Sequence, residues 1–291
     1  MNTNAYYEIG ASHKVCEDYA LSGQHDQLYY AIVSDGCSSS KDSDVGARLL
    51  AHIAKGVLVY MYEDKSLLNP NFTELFKELV LKKCLDAKKA LGLSINAFDA
   101  TLLINFVLGD KVFSLSWGDG YIIYVTDSMN IIVYEISFSS GAPYYLSYEM
   151  CQAKKDAYID AFGGGTITVS QFILDQNSIV LSAVSTDSAL NYSHTVYKEV
   201  AANLMKFVSL SSDGINTYQD DPRFETPDRS KRGYSAVEMI PDIVAYKNIT
   251  GDFVLRRMRR VKELVEKNHI IHQDDISCAT IAITKEEPDN A

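Results

Sequence analysis

The residues of this chain best suited to chemistry are carboxylates in four short motifs, Glu17-Asp18, Ser34-Asp35-Gly36, Ser212-Asp213-Gly214 and Asp274-Asp275, joined by Asp119 inside Trp117-Gly118-Asp119-Gly120. All border runs rich in β-branched and aromatic residues, so they fall where a strand begins or stops. An Asp followed by Gly at such a point lets the backbone turn sharply, with the carboxylate and the neighbouring carbonyl on one side. Carboxylates brought together from distant parts of a chain repel each other and hold their protons more tightly unless cations compensate them. Hard oxygen-seeking ions, Mg²⁺ or Mn²⁺, are the natural filling. Taken singly, an Asp-Gly after a strand is an ordinary turn; the order of all five motifs is what distinguishes a site.

The elements that must position these groups follow from hydrophobic pattern. Short β-rich runs at Leu28–Ser34, Thr101–Leu108, Lys111–Ser116, Tyr121–Thr126, Ile131–Phe138, Thr166–Leu174, Ser178–Val184, Phe207–Ser211 and Ile276–Thr284 predict strands. Apolar residues at spacings of three and four predict helices over Asp44–Glu63, Phe72–Leu91, Ser235–Tyr246 and Gly251–Asn268. Strands in a block between helical pairs point to an α+β protein rather than to βαβ winding. The turn at Trp117–Gly120 should close a hairpin that presents Asp119. No repeat or Pro/Gly/Ser linker divides the chain, so a single domain is expected over residues 1–284, with 285–291 as a short tail.

Composition narrows the functions available. With 27 Lys+Arg against 38 Asp+Glu, the net charge of −11 argues against a nucleic-acid binder, which needs a basic surface to displace counterions. Five dispersed cysteines without a C-x-x-C pair suggest neither a disulfide framework nor a structural zinc site. No stretch approaches the roughly 18 apolar residues of a membrane helix. A soluble, cytoplasmic monomer without nucleic-acid or membrane partners is expected.

The order of the motifs resembles that of the metal-dependent protein phosphatases, the type 2C serine/threonine family, and in particular its short bacterial-type members. Cys16-Glu17-Asp18 is similar to the early acidic pair, Val33-Ser34-Asp35-Gly36 to the D-G-x-G-G loop, and Val45-Gly46-Ala47 to the small-residue helix start after it. Downstream, Phe98–Leu102 resembles the strand entry, Trp117–Gly120 the G-D-S turn, Leu210–Ile215 the S-D-G-[LI] motif, and Asp274–Ser277 the D-[DN]-x-[ST] motif. The resemblance implies a four-layer α-β-β-α sandwich, two antiparallel sheets flanked by helix pairs. It implies that Asp35 bridges two Mn²⁺ or Mg²⁺ ions, with the Gly36 carbonyl and Glu17 or Asp18 on one side and Asp213 and Asp274 on the other. Asp119 with Asp213 would serve a third ion. The implied activity is hydrolysis of phosphoserine and phosphothreonine in protein substrates, by direct attack of a hydroxide bridging the ions, with Asp35, Asp213 and Asp274 as the catalytic carboxylates.

The chain departs from the family at three points. The loop reads Asp35-Gly36-Cys37-Ser38, without the later glycines. Cys37 stands where many eukaryotic relatives have a histidine general acid, and its thiol is poorly matched to protonating an alkoxide. The arginine that contacts substrate phosphate in many relatives falls at His13 and Lys14, neither of which gives a bidentate fork. These departures leave a pseudophosphatase, acting as a binding or regulatory module, as the alternative, and a hydrolase of small phosphoesters as a third reading. His269 and His272 read as solvated helix-end histidines, Gly163–Gly165 as a hairpin turn or the edge of a mobile flap, and the Arg256–Arg260 cluster as a solvated helix face.

Overall fold

The computed structural model describes residues 1–163, 166–175, 177–189, 195–224 and 232–283; the expected tail at 285–291 and Gly164-Gly165 lie outside them. The first half runs β1 (Asn2–Glu8), β2 (Asp18–His25), β3 (Leu28–Asp35), α1 (Ser43–Glu63), α2 (Phe72–Leu91), β4 (Leu102–Leu108), β5 (Lys111–Trp117), β6 (Gly120–Thr126) and β7 (Ile131–Phe138). The second runs α3 (Gln152–Phe162), β8 (Thr166–Leu174), β9 (Val180–Ala189), β10 (Val196–Ala201), β11 (Met205–Ser211), β12 (Tyr218–Asp220), β13 (Gly233–Tyr234), α4 (Ala236–Ile243), α5 (Phe253–Lys267), β14 (Ile270–His272) and β15 (Ile276–Ala282).

Two antiparallel sheets face each other, one ordered β1-β15-β11-β6-β7-β8-β9 and the other β10-β5-β4-β3-β2, with a small sheet β13-β12-β14 beside them. Strand β3 shows why its sequence is a continuous apolar run. Leu28, Tyr30 and Ile32 pack outward against Leu50, Leu58 and Met61 of α1, while Ala31 and Val33 point inward to meet Val208, Leu210 and Ile281 of the other sheet. A strand covered on both faces has no polar side to alternate. The opposite outer layer is built by α4 and α5, where Ile240, Phe253, Met258 and Val261 cover Phe207 and Ile276. Three apolar layers thus separate helices, sheet, sheet and helices, the α+β sandwich that the motif order implied. Polar contacts between the sheets fix their mutual register: Asn105 Nδ2 donates to the Ser209 carbonyl at 3.2 Å, and the Ser114 and Tyr124 hydroxyls lie 2.7 Å apart.

Some elements differ from the sequence reading. Strands β5 and β6 form no hairpin: β5 pairs with β4 and β10, whereas β6 pairs with β11 and β7. The turn between them carries the chain from one sheet to the other. Gly118 and Gly120, at φ of +95° and +129°, take conformations that L side chains rarely adopt, and so make the crossing possible in two residues. Strands β1, β2 and β10 lack the apolar density that marked the others. β2 is Asp-Tyr-Ala-Leu-Ser-Gly-Gln-His and β10 alternates half-buried with exposed residues, as expected of strands at sheet edges. The small residue at position 46 has a packing cause, because a Cβ there would come within 1.5 Å of the Ala97 carbonyl oxygen. Cys16, Cys37, Cys84, Cys151 and Cys278 are all free thiols. No helix among the described residues is long and apolar enough to cross a membrane.

Candidate active site

The antiparallel register collects the carboxylates at one end of the sandwich. Asp18 opens β2 directly opposite Asp35, which closes β3. Ser211, the last residue of β11, faces Cys278 of β15 on one side and Tyr121 of β6 on the other. Asp213 just beyond β11, Asp274 just before β15 and Asp119 just before β6 therefore meet. Thr101 clamps Asp35 from the neighbouring strand: its Oγ1 accepts from the Asp35 backbone N–H at 3.0 Å, and its own N–H donates to the Asp35 carbonyl at 2.8 Å.

The glycines after Asp35 and Asp213 serve close approach rather than a sharp turn, for neither has the left-handed backbone that would demand glycine. A Cβ on Gly36 would meet the Ser43 carbonyl oxygen at 2.8 Å and that of Glu17 at 3.0 Å; one on Gly214 would meet the Asp275 carbonyl oxygen at 1.8 Å. The two Asp-Gly steps thus wedge their loops against the other acidic segments.

Packed together, these carboxyls resist ionisation. Burial first, and then the charges of Asp18, Asp213, Asp119 and Asp274, hold the Asp35 carboxyl well above the usual carboxylate range. Burial raises Asp18 to about 7, with Asp275 adding to the effect. Asp119 rises to about 7 through burial and the charge of Asp213, and Asp213 is raised by burial and by Asp274. Asp18 Oδ2 accepts from the Ser212 hydroxyl at 2.6 Å, yet its buried Oδ1 has no hydrogen-bond partner. Half-buried carboxylates that repel, an orphaned buried oxygen and a glycine-lined backbone cradle form a donor set fitted to hard divalent cations.

Beside this set lies an arrangement that only partly followed from the sequence. Asp275, 2% exposed, accepts from the backbone N–H groups of Gly10 and Glu17 at 2.7 and 2.6 Å. His13 inserts between the acidic segments, its Nε2 3.1 Å from Asp274 Oδ1 and its Nδ1 3.2 Å from Asp275 Oδ2 and 3.6 Å from Glu17 Oε2. Nδ1 is close to Asp275 in charge terms but is not aligned for a hydrogen bond. Burial would lower the His13 pKa, but Asp275 and Asp274 outweigh it, so the ring holds its proton more tightly than usual. His13, Glu17 and Asp275 are the one set of three potential ligand groups within 4.8 Å of one another among the described residues. Lys14 is exposed beside it. The role of Asp275 had one legible sign: successive residues ahead of a strand point to opposite sides, so one member of an Asp-Asp pair turns inward.

A second layer holds the first. His272 is half-buried rather than solvated: its Nδ1 lies 2.9 Å from the Asp274 carbonyl oxygen and its Nε2 3.3 Å from Glu8 Oε1. Burial pushes the Glu8 carboxyl up, but hydrogen bonds from His272, Lys262 and Tyr6 prevail and bring it down to about 2. Because the folded value lies below the ordinary 4.5, Glu8 stabilises the fold above pH 4.5, and that contribution is lost as pH falls toward 2. Glu8→Gln is expected to flatten the acid limb of a urea-unfolding series between these values. The loss should be on the order of 1–2 kcal/mol after solvent screening, and superimposable acid limbs would contradict the assignment. Asp99, 5% exposed, ties the Cys37–Ser40 loop to α3, accepting from Ser40 Oγ at 2.7 Å and pairing with Lys154. Its carbonyl accepts from the Cys37 N–H at 2.8 Å.

Sequence and fold comparisons point to one family of folds. Residues 9–139 match the protein phosphatase 2C family model, a span that holds Glu17, Asp18, Asp35, Gly36 and Asp119. The fold is similar to that of the serine/threonine phosphatase Stp1 from Staphylococcus aureus, at 12% identity over 98% of this chain and 96% of that one, with a TM-score of 0.53. It is equally similar to serine-threonine phosphatase 2C from Toxoplasma gondii, at 12% identity over 97% and 94% of the chains and TM-score 0.53. PppA, a key regulatory component of T6SS in Pseudomonas aeruginosa, aligns at 13% identity over 97% of both chains with TM-score 0.50. No curated protein sequence matches. The chain carries the fold of the type 2C phosphatases and, over residues 9–139, their sequence signature.

Proposed function

We propose that this protein is a metal-dependent serine/threonine phosphatase acting on phosphorylated proteins. The observation that carries the reading is the convergence of Asp18, Asp35, Asp119, Asp213 and Asp274, whose mutual repulsion has no structural use without cations. Asp35 with the Gly36 carbonyl and Glu17 or Asp18 would hold one Mn²⁺ or Mg²⁺, Asp213 and Asp274 with Asp35 a second, and Asp119 with Asp213 a third. When bound, such ions supply a water nucleophile at neutral pH and neutralise the phosphoryl oxygens. The chain itself contributes placement. Thr101 fixes the Asp35 backbone, Gly36 and Gly214 let the loops close, and His13, whose proton Asp275 and Asp274 help to hold, stands with exposed Lys14 where the substrate phosphate would arrive. The free thiols support a reducing, cytoplasmic setting, and we read residues 1–284 as one domain acting as a monomer.

A specific feature favours the second reading, a binding module without turnover. His13 is already committed to three carboxylates, so the guanidinium fork of the relatives has no equivalent there. Hydrolysis of p-nitrophenyl phosphate and of a phosphothreonine peptide, with and without Mn²⁺, separates the two. For the phosphatase, Mn²⁺-dependent turnover should fall roughly 100-fold or more in Asp35→Asn and Asp213→Ala. A wild-type protein that binds Mn²⁺ but turns over neither ester would be the binding module.

A further inference from the structure

Helix α1 carries two glycines with opposite surroundings. Gly46 is wedged against Ala97, whereas a Cβ on Gly56 would meet nothing within 4 Å. Glycine in the middle of an exposed helix sacrifices helix stability, and no neighbour among the described residues calls for it at position 56. Gly56 instead floors a groove of about 580 Å³ on the outer face of the helical layer, lined also by Ile53 and Tyr60 of α1 and by Leu79, Lys82 and Lys83 of α2. From Ile53 to Tyr60 the groove follows two turns of helix, about 10 Å, the span over which a docked helix sets its i, i+4 and i+7 anchors. Tyr60 is 55% exposed, a large aromatic ring held at the rim with much of its surface uncovered by the described residues.

The rim defines the charge of the occupant. Lys82 and Lys83 are exposed and enter no ion pair among the described residues, in a chain whose net charge of −11 leaves acidic groups in excess. Set beside the apolar floor, the two lysines complement a partner helix that brings carboxylates together with its apolar anchors and so gains at both kinds of contact. The groove is also remote from the carboxylates. Ser43, which donates to Glu17 at 3.1 Å, lies ten residues before Ile53, about 15 Å along the helix.

We propose that the α1–α2 groove docks an acidic amphipathic helix of a partner protein, with its apolar side chains seated over Gly56 between Tyr60 and Leu79 and its carboxylates on Lys82 and Lys83. The test is fluorescence anisotropy with three synthetic 18-residue amphipathic peptides that share leucine at the i, i+4 and i+7 positions and carry Glu, Gln or Lys elsewhere. The wild-type chain should bind the Glu peptide about 10-fold more tightly than the Gln peptide. The double variant Lys82→Glu, Lys83→Glu should lose that preference and favour the Lys peptide. Gly56→Leu should weaken the Glu peptide about 10-fold by filling the floor, while Gly56→Ala should raise the melting temperature. Melting of each variant near or above wild type guards against misfolding as the cause of lost binding. Equal binding of the three peptides, no binding of any at 100 µM, or Glu-peptide binding untouched by both groove variants would overturn the proposal. So would sedimentation as a dimer that Tyr60→Asp dissolves, since the occupant would then be a second copy.

Discussion

In metal-free buffer at pH 7.5, Asp35→Asn is expected to melt above the wild-type protein and to lose the rise in melting temperature that Mn²⁺ gives the wild type. The sign follows from linkage. Asp18 and Asp119 move from an ordinary value of 3.8 to about 7 on folding, and Asp35 and Asp213 move in the same direction. Between those values the folded state binds more protons than the unfolded chain, so stability falls as pH rises from about 4 to about 7 and stays low above. The repulsion is shared among coupled carboxyls, and removing the one that faces all the others should recover about 1–3 kcal/mol, or roughly 2–5 °C for a chain of this size. An Asn amide can also donate to Asp18, whose Oδ1 is unpartnered. Melting below wild type would show that the cluster is not under electrostatic strain. A retained Mn²⁺ response would place the ions elsewhere, with the His13, Glu17 and Asp275 set the next candidate.

Because Glu8 responds in the opposite sense below pH 4.5, the two effects bound the stability of the metal-free protein from both sides. Loss of repulsion stabilises it on descending to about pH 4, and loss of the Glu8 interactions destabilises it further down. Metal-loaded protein should lack the first effect and keep the second.

The acidic motifs were readable because their chemistry resides in residue type and chain order, both of which survive in a one-dimensional string. The inner strands were readable for a related reason: burial on both faces of β3, β4 and β6 demands unbroken apolar runs. What escaped depends on which groups meet across the fold. The Gly-Asp-Gly turn in Trp117–Gly120 reads as a hairpin because it specifies a reversal but not the sheet that its second strand joins; that choice is made by the pairing of β6 with β11. His13 sits four residues from Glu17, yet its contacts with Asp274 and Asp275 exist only because β1 and the loop after it lie along β15. His272 looked like a solvated end-of-helix residue, since nothing near it in sequence announces Glu8. Edge strands β2 and β10 share this character, with their pairing set by neighbours rather than by pattern.

Gly214→Ala should be the most damaging single-methyl change at the site. The added carbon would start 1.8 Å from the Asp275 carbonyl oxygen and 2.8 Å from its carbonyl carbon. Both are backbone atoms at the entry to a fully buried strand, so neither can swing aside as a side chain would. Ile215, at 0% exposure, pins the other flank of the turn. No backbone torsion forces glycine here, which leaves the clash as the whole effect and predicts a loss of about 2–3 kcal/mol. Relief requires the Asp213 loop to back away from the Asp274-Asp275 segment, the two acidic stretches that the site must keep together. Turnover measured well below the melting temperature should therefore fall roughly 100-fold or more, with a higher Mn²⁺ concentration needed for half-maximal activity. Gly56→Ala, with open space around its Cβ, supplies the control that should leave turnover intact. Wild-type turnover and melting in Gly214→Ala would mean that the loop relaxes without moving Asp213, and that the close approach is incidental to the site.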